Sequence, residues 1–223
     1  MHVDIPQLCV GLALLWFPRQ WLRRGKVIGH HRRKKTSGSE EPWKTREPGD
    51  PRLNYREFAK PRNYLDLLRG AAGAVAIVGG FAIEGAIRAG AVAGRGEARN
   101  VLLAHLGILL VGVLIQVTRF ERGRVSFYAP VFFLAGLSVA LCGPWAALFA
   151  FILVWAMNPL FGNGEGFLSF YAAVLVAYGL FLHEAQRVYP IAAGLFCFLP
   201  ALMSLLLRRP LVVFTRKAPS GAS

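Results

Sequence analysis

The stretch VSFYAPVFFLAGLSVALCGPWAALFAFILVWAMNPLFGNG, residues 125–164, contains no charged side chain. As one straight α-helix it would be roughly 60 Å long, about twice the hydrocarbon thickness of a bilayer. We therefore expect the chain to cross a membrane, turn at Gly143 and Pro144, and cross back. Because backbone polar groups in lipid must be satisfied internally, the predicted fold class is an all-α, polytopic membrane helix bundle.

The composition of the whole chain agrees with this class. Of the 223 residues, 55% are hydrophobic and 17% are charged, whereas about a quarter of the residues of a soluble domain are charged. The charged residues also form short islands between long apolar tracts. This arrangement leaves no polar exterior for a soluble globule, so we expect one membrane domain with a polar arm.

Apolar tracts of nearly membrane-spanning length predict about six transmembrane helices, of which the fifth is the shortest. They cover residues 67–91, 101–118, 125–142, 145–161, 167–182 and 189–207. The corresponding domain plan has a short apolar anchor or interfacial helix, a basic and largely disordered arm, a six-span bundle and a basic tail. These four parts are residues 1–22, 23–62, 63–207 and 208–223.

The apolar segment at residues 8–17 is too short to span a bilayer without its flanks. Asp4 precedes it and Arg19 follows it, which is the reverse of the charge order of an ordinary secretory signal. Trp16 and Trp21 lie at its edge, where aromatic residues favour the membrane interface. Two alternatives remain: a helix in the interface, or a thin anchor that runs from outside to inside.

The distribution of Lys and Arg predicts the orientation. Placing the arm and the C-terminus in the cytoplasm puts 22 of the 26 basic residues on the cytoplasmic side. Only Arg88, Arg95, Arg99 and Arg187 then fall outside. We expect a multi-pass protein of the cell membrane with a cytoplasmic C-terminus, and a bacterial inner membrane as its location.

The arm contains a dense basic cluster that is expected to bind anionic membrane lipids, each basic residue contributing on the order of 1 kcal/mol. Nucleic acid is the less favoured partner, because no aromatic residues interleave with the cluster and no nucleic-acid fold motif accompanies it. The residues of this predicted lipid-binding cluster are Arg23, Arg24, Arg32, Arg33, Lys34 and Lys35.

The first predicted span carries a stripe of small residues. Ala72, Ala76 and Gly80 recur at every fourth position, and such a stripe lets another helix approach closely in lipid. We expect it to pack against a membrane-protein partner or a second copy of the chain. Asn63 is predicted to cap this span, with Asp66 near the positive end of the helix dipole.

Ionisable residues of three spans are predicted to reach the outer leaflet together. Glu84 and Arg88 either form a self-neutralising pair at i and i+4 or mark a functional site. His105 and Gln116 share one face of the second span, and His183 and Glu184 follow the fifth. The candidate catalytic residues are Glu84, His105 and His183, and the candidate substrate-binding residues are Arg88, Gln116 and Glu184.

The sequence indicates no resident metal or cofactor. His183 and Glu184 would point about 100° apart on a helix, which disfavours a shared ion. Cys9, Cys142 and Cys197 are widely spaced in or beside apolar segments and are expected to behave as small hydrophobic residues. No dinucleotide or haem motif is present in the sequence.

Three functional classes follow from these patterns. The favoured one is an accessory or scaffold protein that packs with partner helices and binds anionic lipid through its arm. The second is an outer-leaflet enzyme that uses Glu84, His105 and His183. The third is a small transporter lined by His105, Gln116 and Glu84. Whether the protein is an enzyme stays open, because the sequence has no spaced catalytic motif.

Overall fold

The computed structural model describes residues 4–18, 61–80, 95–121, 124–161, 163–182, 187–207 and 211–212. These residues are nearly all helical, which confirms the helical part of the predicted class, and three short strands accompany the helices. The helices are α1 Ile5–Trp16, α2 Pro61–Gly80, α3 Arg95–Val117, α4 Val131–Cys142, α5 Pro144–Ala156, α6 Gly164–Leu182 and α7 Val188–Leu207, and the strands are β1 Thr118–Glu121, β2 Arg124–Tyr128 and β3 Leu211–Val212.

Three of the described helices are long and apolar enough to cross a membrane, which supports an integral membrane protein. These candidate spans are Arg99–Val117 within α3, all of α6 and all of α7. The six spans predicted from the sequence are not confirmed. Helices α1, α4 and α5 are apolar but have only 12, 12 and 13 residues, and α2 contains Asp66 and Arg69.

The third predicted span, residues 125–142, is wrong in its first part. Residues up to Tyr128 belong to strand β2, and helix α4 begins only at Val131, after Pro130. The apolar run includes β-branched and aromatic residues that suit a strand, and an apolar run alone does not distinguish strand from helix. The pairing with β1 decides in favour of the strand.

The predicted turn at Gly143 is confirmed. Gly143 has φ 79° and ψ 157°, a conformation that is essentially restricted to glycine, and Pro144 occupies the first turn of α5. Helix α5 then ends at Ala156, five residues before the end predicted for the fourth span, and the short 3-10 helix Asn158–Leu160 follows it.

Helix α2 begins at Pro61, six residues before the start predicted for the first span. The prediction that Asn63 caps this helix is therefore wrong, because Asn63 and Asp66 both lie inside it. Proline at the first position explains the earlier start, since its fixed φ suits a helix and its missing N–H needs no partner there. Residues 81–91 of the predicted span lie outside the described residues.

The centre of the bundle is the close packing of α2 on α4. A Cβ atom added to Gly136 would collide with the backbone oxygen of Leu67, and one added to Gly70 would collide with that of Phe133. The two helices therefore meet backbone to backbone at these glycines. Helix α6 packs chiefly on α7 and α5, and the buried side chains of Phe133 and Tyr171 fill the core between these layers.

Helix α1 lies antiparallel along α2. At one end the Asp4 backbone N–H donates to the carbonyl oxygen of Gly80 (2.9 Å), and at the other Arg69 Nη1 donates to that of Phe17 (2.9 Å). The helix is capped by Asp4, whose Oδ1 accepts from the N–H of Gln7 (3.1 Å). The two sequence alternatives, a helix in the interface or a thin anchor from outside to inside, both stay predictions.

The strands form one small sheet in the order β1-β2-β3. Strands β1 and β2 are antiparallel, and β3, which follows α7, is parallel to β2. The sheet brings the end of α3, the start of α4 and the chain after α7 to one end of the bundle. We name this the sheet end, and the opposite end, which holds Gly143, the turn end.

Candidate functional site

One face of α2 is polar and buried. Asn63, Asp66 and Arg69 follow each other at intervals of three residues, and their side chains are 1%, 5% and 9% exposed. Such spacing keeps the three side chains near one face of the helix. Ionisable residues buried in a membrane protein are candidates for a functional role, so this face is the first place to examine.

The guanidinium group of Arg69 joins three helices. Nη1 donates to the backbone oxygen of Phe17, just after α1, and Nη2 donates to Gln116 Oε1 on α3 (2.8 Å). Asp66 Oδ1 lies 3.7 Å from Nη2, and the ring centre of Phe133 lies 5.5 Å from Cζ. The buried charge is therefore balanced by a carboxylate, and Nε has no partner among the described residues.

Gln116 completes this arrangement from α3. Its Nε2 donates to the backbone oxygens of Leu15 and Phe17, both at 3.0 Å. The last carbonyl groups of a helix have no partners within the helix, and a positive charge is favourable beside them. Arg69 and Gln116 thus act as a cap for the C-terminal end of α1, and we call them the capping pair.

His105, the described member of the predicted catalytic set, lies in a different place. It is 3% exposed, and its Nδ1 is 3.0 Å from the hydroxyl oxygen of Tyr189 on α7. His105 and Gln116 are both buried, as a shared face on α3 requires. However, eleven residues separate His105 from Gln116, about 16 Å along the helix, so the two side chains do not form one site.

Two further polar contacts join other helices. Within the core, Ser138 Oγ of α4 lies 3.0 Å from the hydroxyl oxygen of Tyr171 on α6, and it also bonds the backbone oxygen of Ala135 (2.8 Å). Near the sheet end, Ser204 Oγ of α7 donates to Glu165 Oε1 of α6. Each of these contacts ties two helices together.

Comparisons of the chain with protein-family models, with curated proteins and with solved structures found no match. The function is therefore argued from the geometry of the described residues.

The small-residue stripe on α2 is partly buried and partly exposed. Ala76 and Gly80 are buried, whereas Ala72 is exposed. A Cβ atom on Gly80 would lie 3.4 Å from the backbone nitrogen of Leu8, so α1 already covers this part of α2. Packing of the stripe against another protein stays a prediction, and the part of it that is open to a partner is around Ala72.

Most of the predicted outer-leaflet cluster lies outside the described residues, namely Glu84, Arg88, His183 and Glu184. The basic cluster of the arm, Arg23, Arg24, Arg32, Arg33, Lys34 and Lys35, lies outside them as well. Their predicted roles stay predictions. Within the described part of the chain, no three His, Cys, Asp or Glu side chains come close enough to hold a metal ion.

The sequence prediction did not single out Arg69. The available signal was the succession Asn63, Asp66 and Arg69 on one face, continued by Gly70 and Gly73, where small residues indicate close contact with other helices. The predicted start at residue 67 separated Asp66 from Arg69 and concealed this periodicity. A start at Pro61 reveals it.

Proposed function

We propose that this chain is an integral membrane scaffold. It is a multi-pass bundle of the cell membrane, with a cytoplasmic arm and C-terminus, that packs with partner helices and binds anionic lipid through the arm. A bacterial inner membrane is the proposed location. The enzyme alternative depends on Glu84 and His183, the transporter alternative depends on Glu84, and no described contact favours either one.

The observation that carries this proposal is that the buried polar side chains form hydrogen bonds between helices. The capping pair joins α1, α2 and α3, while His105 contacts α7 and Ser138 contacts α6. A catalytic or transport site needs such groups to converge on a cavity, where they meet a ligand. Here they are spread along the bundle and hold helices to one another, as a structural protein requires.

The open part of α2 supports lateral packing. Leu65, Leu68 and Val75 are 66%, 61% and 54% exposed and share one face with the exposed Ala72. A small residue among larger ones lets the backbone of a neighbouring helix approach, so we propose that a partner helix or a second copy packs here. In vesicles, fluorescence energy transfer between labelled chains should fall for Ala72→Trp and stay unchanged for Val111→Trp, on the exposed face of α3.

The arm is tested with the full chain in nanodiscs of neutral phosphatidylcholine. We expect these discs to co-sediment with phosphatidylglycerol vesicles at low salt, and to bind phosphatidylcholine vesicles far more weakly. Replacing Arg23, Arg24, Arg32, Arg33, Lys34 and Lys35 by Gln should weaken binding at least a hundredfold, since each contributes on the order of 1 kcal/mol. High salt should have the same effect as these replacements.

A matched control is the replacement of Arg88, Arg95, Arg99 and Arg187 by Gln. These residues lie on the opposite side of the proposed topology, so their loss should leave the binding to anionic vesicles unchanged. Equal binding to neutral and anionic vesicles, or equal loss in both variants, would contradict lipid binding by the arm.

A further inference from the structure

Helix α1 is attached to the side of the bundle. Of its twelve residues only Gly11 and Leu15 are buried, whereas ten of the twelve residues of α4 are. Its outward face exposes Ile5, Val10 and Trp16. Helix α1 therefore has fewer buried residues to expose than the central helix of similar length.

The surface beneath α1 is a groove between α2 and α3. These two helices make few contacts with each other, and α1 contacts both. A Cβ atom on Gly73 of α2 would lie 2.8 Å from Leu15 Cγ, and one on Gly112 of α3 would lie 3.3 Å from Leu15 Cβ. Glycine on both walls thus makes room for a helix, and we call this surface the α2/α3 groove.

The polar contacts of α1 are concentrated at its two ends. The backbone bond from Asp4 to Gly80 holds its start, and the capping pair holds the carbonyl groups of Leu15 and Phe17 at its end. Trp16 Nε1 adds a bond to the backbone oxygen of Ile108 on α3 (3.2 Å). A helix that leaves the groove must therefore give up these hydrogen bonds, the burial of Gly11 and Leu15, and the packing of the partly buried Leu8 and Leu12.

The connection from α1 to the rest of the bundle is long. Forty-two residues, 19–60, separate Pro18 from Pro61. Forty-two residues are far more than the short loop that commonly joins neighbouring helices, so the chain connection does not by itself force α1 to lie against α2. Elements with few buried contacts open at lower free energy than the core does.

We propose that α1 is a detachable cover of the α2/α3 groove, with the capping pair as the site that recognises its C-terminal end. Helix α1 leaves the groove while α4 to α7 stay folded. The exposed groove then accepts another apolar helix. That helix has a small residue in its contact face and unpaired carbonyl groups at its C-terminal end. The cover thereby blocks the groove against other helices. One part of this proposal rests on the proposed function, namely that the competing helix belongs to a scaffold partner.

Hydrogen exchange of the full chain in detergent tests whether the cover opens separately. Amides of α1 should exchange at least tenfold faster than those of α4 in the wild-type protein. The double variant Arg69→Met/Gln116→Leu should accelerate exchange in α1 at least a further tenfold and leave α4 unchanged. One common exchange rate for α1 and α4, or equal acceleration of both in the variant, would overturn the proposal.

A peptide of residues 4–18 tests whether the groove accepts a helix supplied from outside. In Gly11→Leu the chain's own cover cannot dock, because a Cβ atom at position 11 would lie 2.8 Å from Ile77 Cδ1 and 3.1 Å from the Ile77 backbone nitrogen. We expect a fluorescent peptide to bind this full-length variant at least tenfold more tightly than the wild-type protein. Ala13→Leu, the same kind of enlargement on the exposed face, should bind the peptide as weakly as wild type.

The closed state is fixed by a disulfide between Leu8→Cys and Gly80→Cys, with the three native cysteines replaced. A Cβ atom at position 80 would lie 3.6 Å from Leu8 Cα, an ordinary van der Waals contact that leaves α1 in place and brings the two positions within reach of a disulfide. The oxidised, monomeric form should exclude the peptide, and reduction should restore the wild-type level. Peptide binding to the locked form, absence of binding to Gly11→Leu, or failure of Gly11→Leu to fold would each overturn the proposal. None of these results depends on lipid binding by the arm.

Discussion

Tyr171 and Ser138 show how single residues stabilise the core of this bundle. Both side chains are fully buried, and their hydroxyl groups lie 3.0 Å apart between α6 and α4. Ser138 also bonds the backbone oxygen of Ala135, one turn away in its own helix. Ser138 therefore keeps a hydrogen-bond partner when the Tyr171 hydroxyl is removed, whereas the Tyr171 hydroxyl loses this partner when Ser138 is replaced. A buried polar group without a partner bears the full cost of its lost hydration.

We predict that Ser138→Ala is more destabilising than Tyr171→Phe. The first change leaves the Tyr171 hydroxyl without this partner, at a cost of about 1–3 kcal/mol, whereas the second leaves the Ser138 bond to Ala135 in place and should cost less than about 1 kcal/mol. Thermal unfolding is measured with a thiol-reactive dye in a chain whose exposed Cys9 is replaced by Ser, since the other free cysteines, Cys142 and Cys197, are buried in the folded state.

Ser169→Ala is the matched control for this pair. Among the described residues, Ser169 Oγ bonds within α6, to the backbone oxygen of Glu165 (2.8 Å), and its loss should change the unfolding temperature little. A Tyr171→Phe variant that is less stable than Ser138→Ala would contradict the predicted order, and so would an effect of Ser169→Ala as large as that of Ser138→Ala.

At the scale of elements, the packing of α2 on α4 depends on the absence of side chains at Gly70 and Gly136. Each glycine faces a backbone oxygen of the opposite helix. A backbone oxygen cannot rotate away as the end of a side chain can, so any added atom must separate the helices. Close packing here also explains why α4, at twelve residues, is almost entirely buried.

Gly136→Ala should therefore lower the free energy of unfolding by about 2 kcal/mol or more, since overpacking against a rigid neighbour typically costs about 1–3 kcal/mol. Gly107→Ala on α3 provides the contrast, because a Cβ atom there meets nothing within 4 Å. That change should stabilise the helix by up to about 1 kcal/mol through the higher helix propensity of alanine. Equal effects of the two substitutions in denaturation measurements would contradict the argument from packing.

At the scale of the whole molecule, the sheet groups several chain segments at one end of the bundle. Strand β3 follows α7 and pairs with β2, so the chain after the last helix returns to the junction of α3 and α4. Arg119 and Arg124 lie in the paired strands β1 and β2 at this end. That this end faces the cytoplasm is a proposal from the distribution of Lys and Arg.

This orientation predicts the labelling pattern of single cysteines in a chain whose native cysteines have been replaced. In intact cells, a membrane-impermeant maleimide should label Gly94→Cys, and it should label Ser37→Cys and Ser220→Cys only after permeabilisation. Labelling of Ser37→Cys or Ser220→Cys in intact cells would contradict the proposed orientation. Gly94→Cys labelled only after permeabilisation would contradict it equally.

Part of the candidate site could be predicted from the sequence. The shared face of His105 and Gln116 followed from helical periodicity, and both side chains are buried as that face required. The hydrogen-bond partners of Gln116 could not be predicted from the sequence, because Arg69 is 47 residues and Leu15 is 101 residues away from it along the chain. Periodicity specifies which way a side chain points within its own helix and contains no information about which helix it meets.

The sequence by itself determined that this chain is helical and apolar enough for a membrane, because the length of an uncharged tract and the rise of a helix are local quantities. It also determined the turn at Gly143, which requires a glycine conformation. Only the tertiary structure decided that β2 takes up the first residues of the long apolar run, that α1 covers part of the small-residue stripe, and that Arg69 and Gln116 meet. These features depend on contacts between segments that are distant along the chain. A local sequence pattern contains no information about the energies of such contacts.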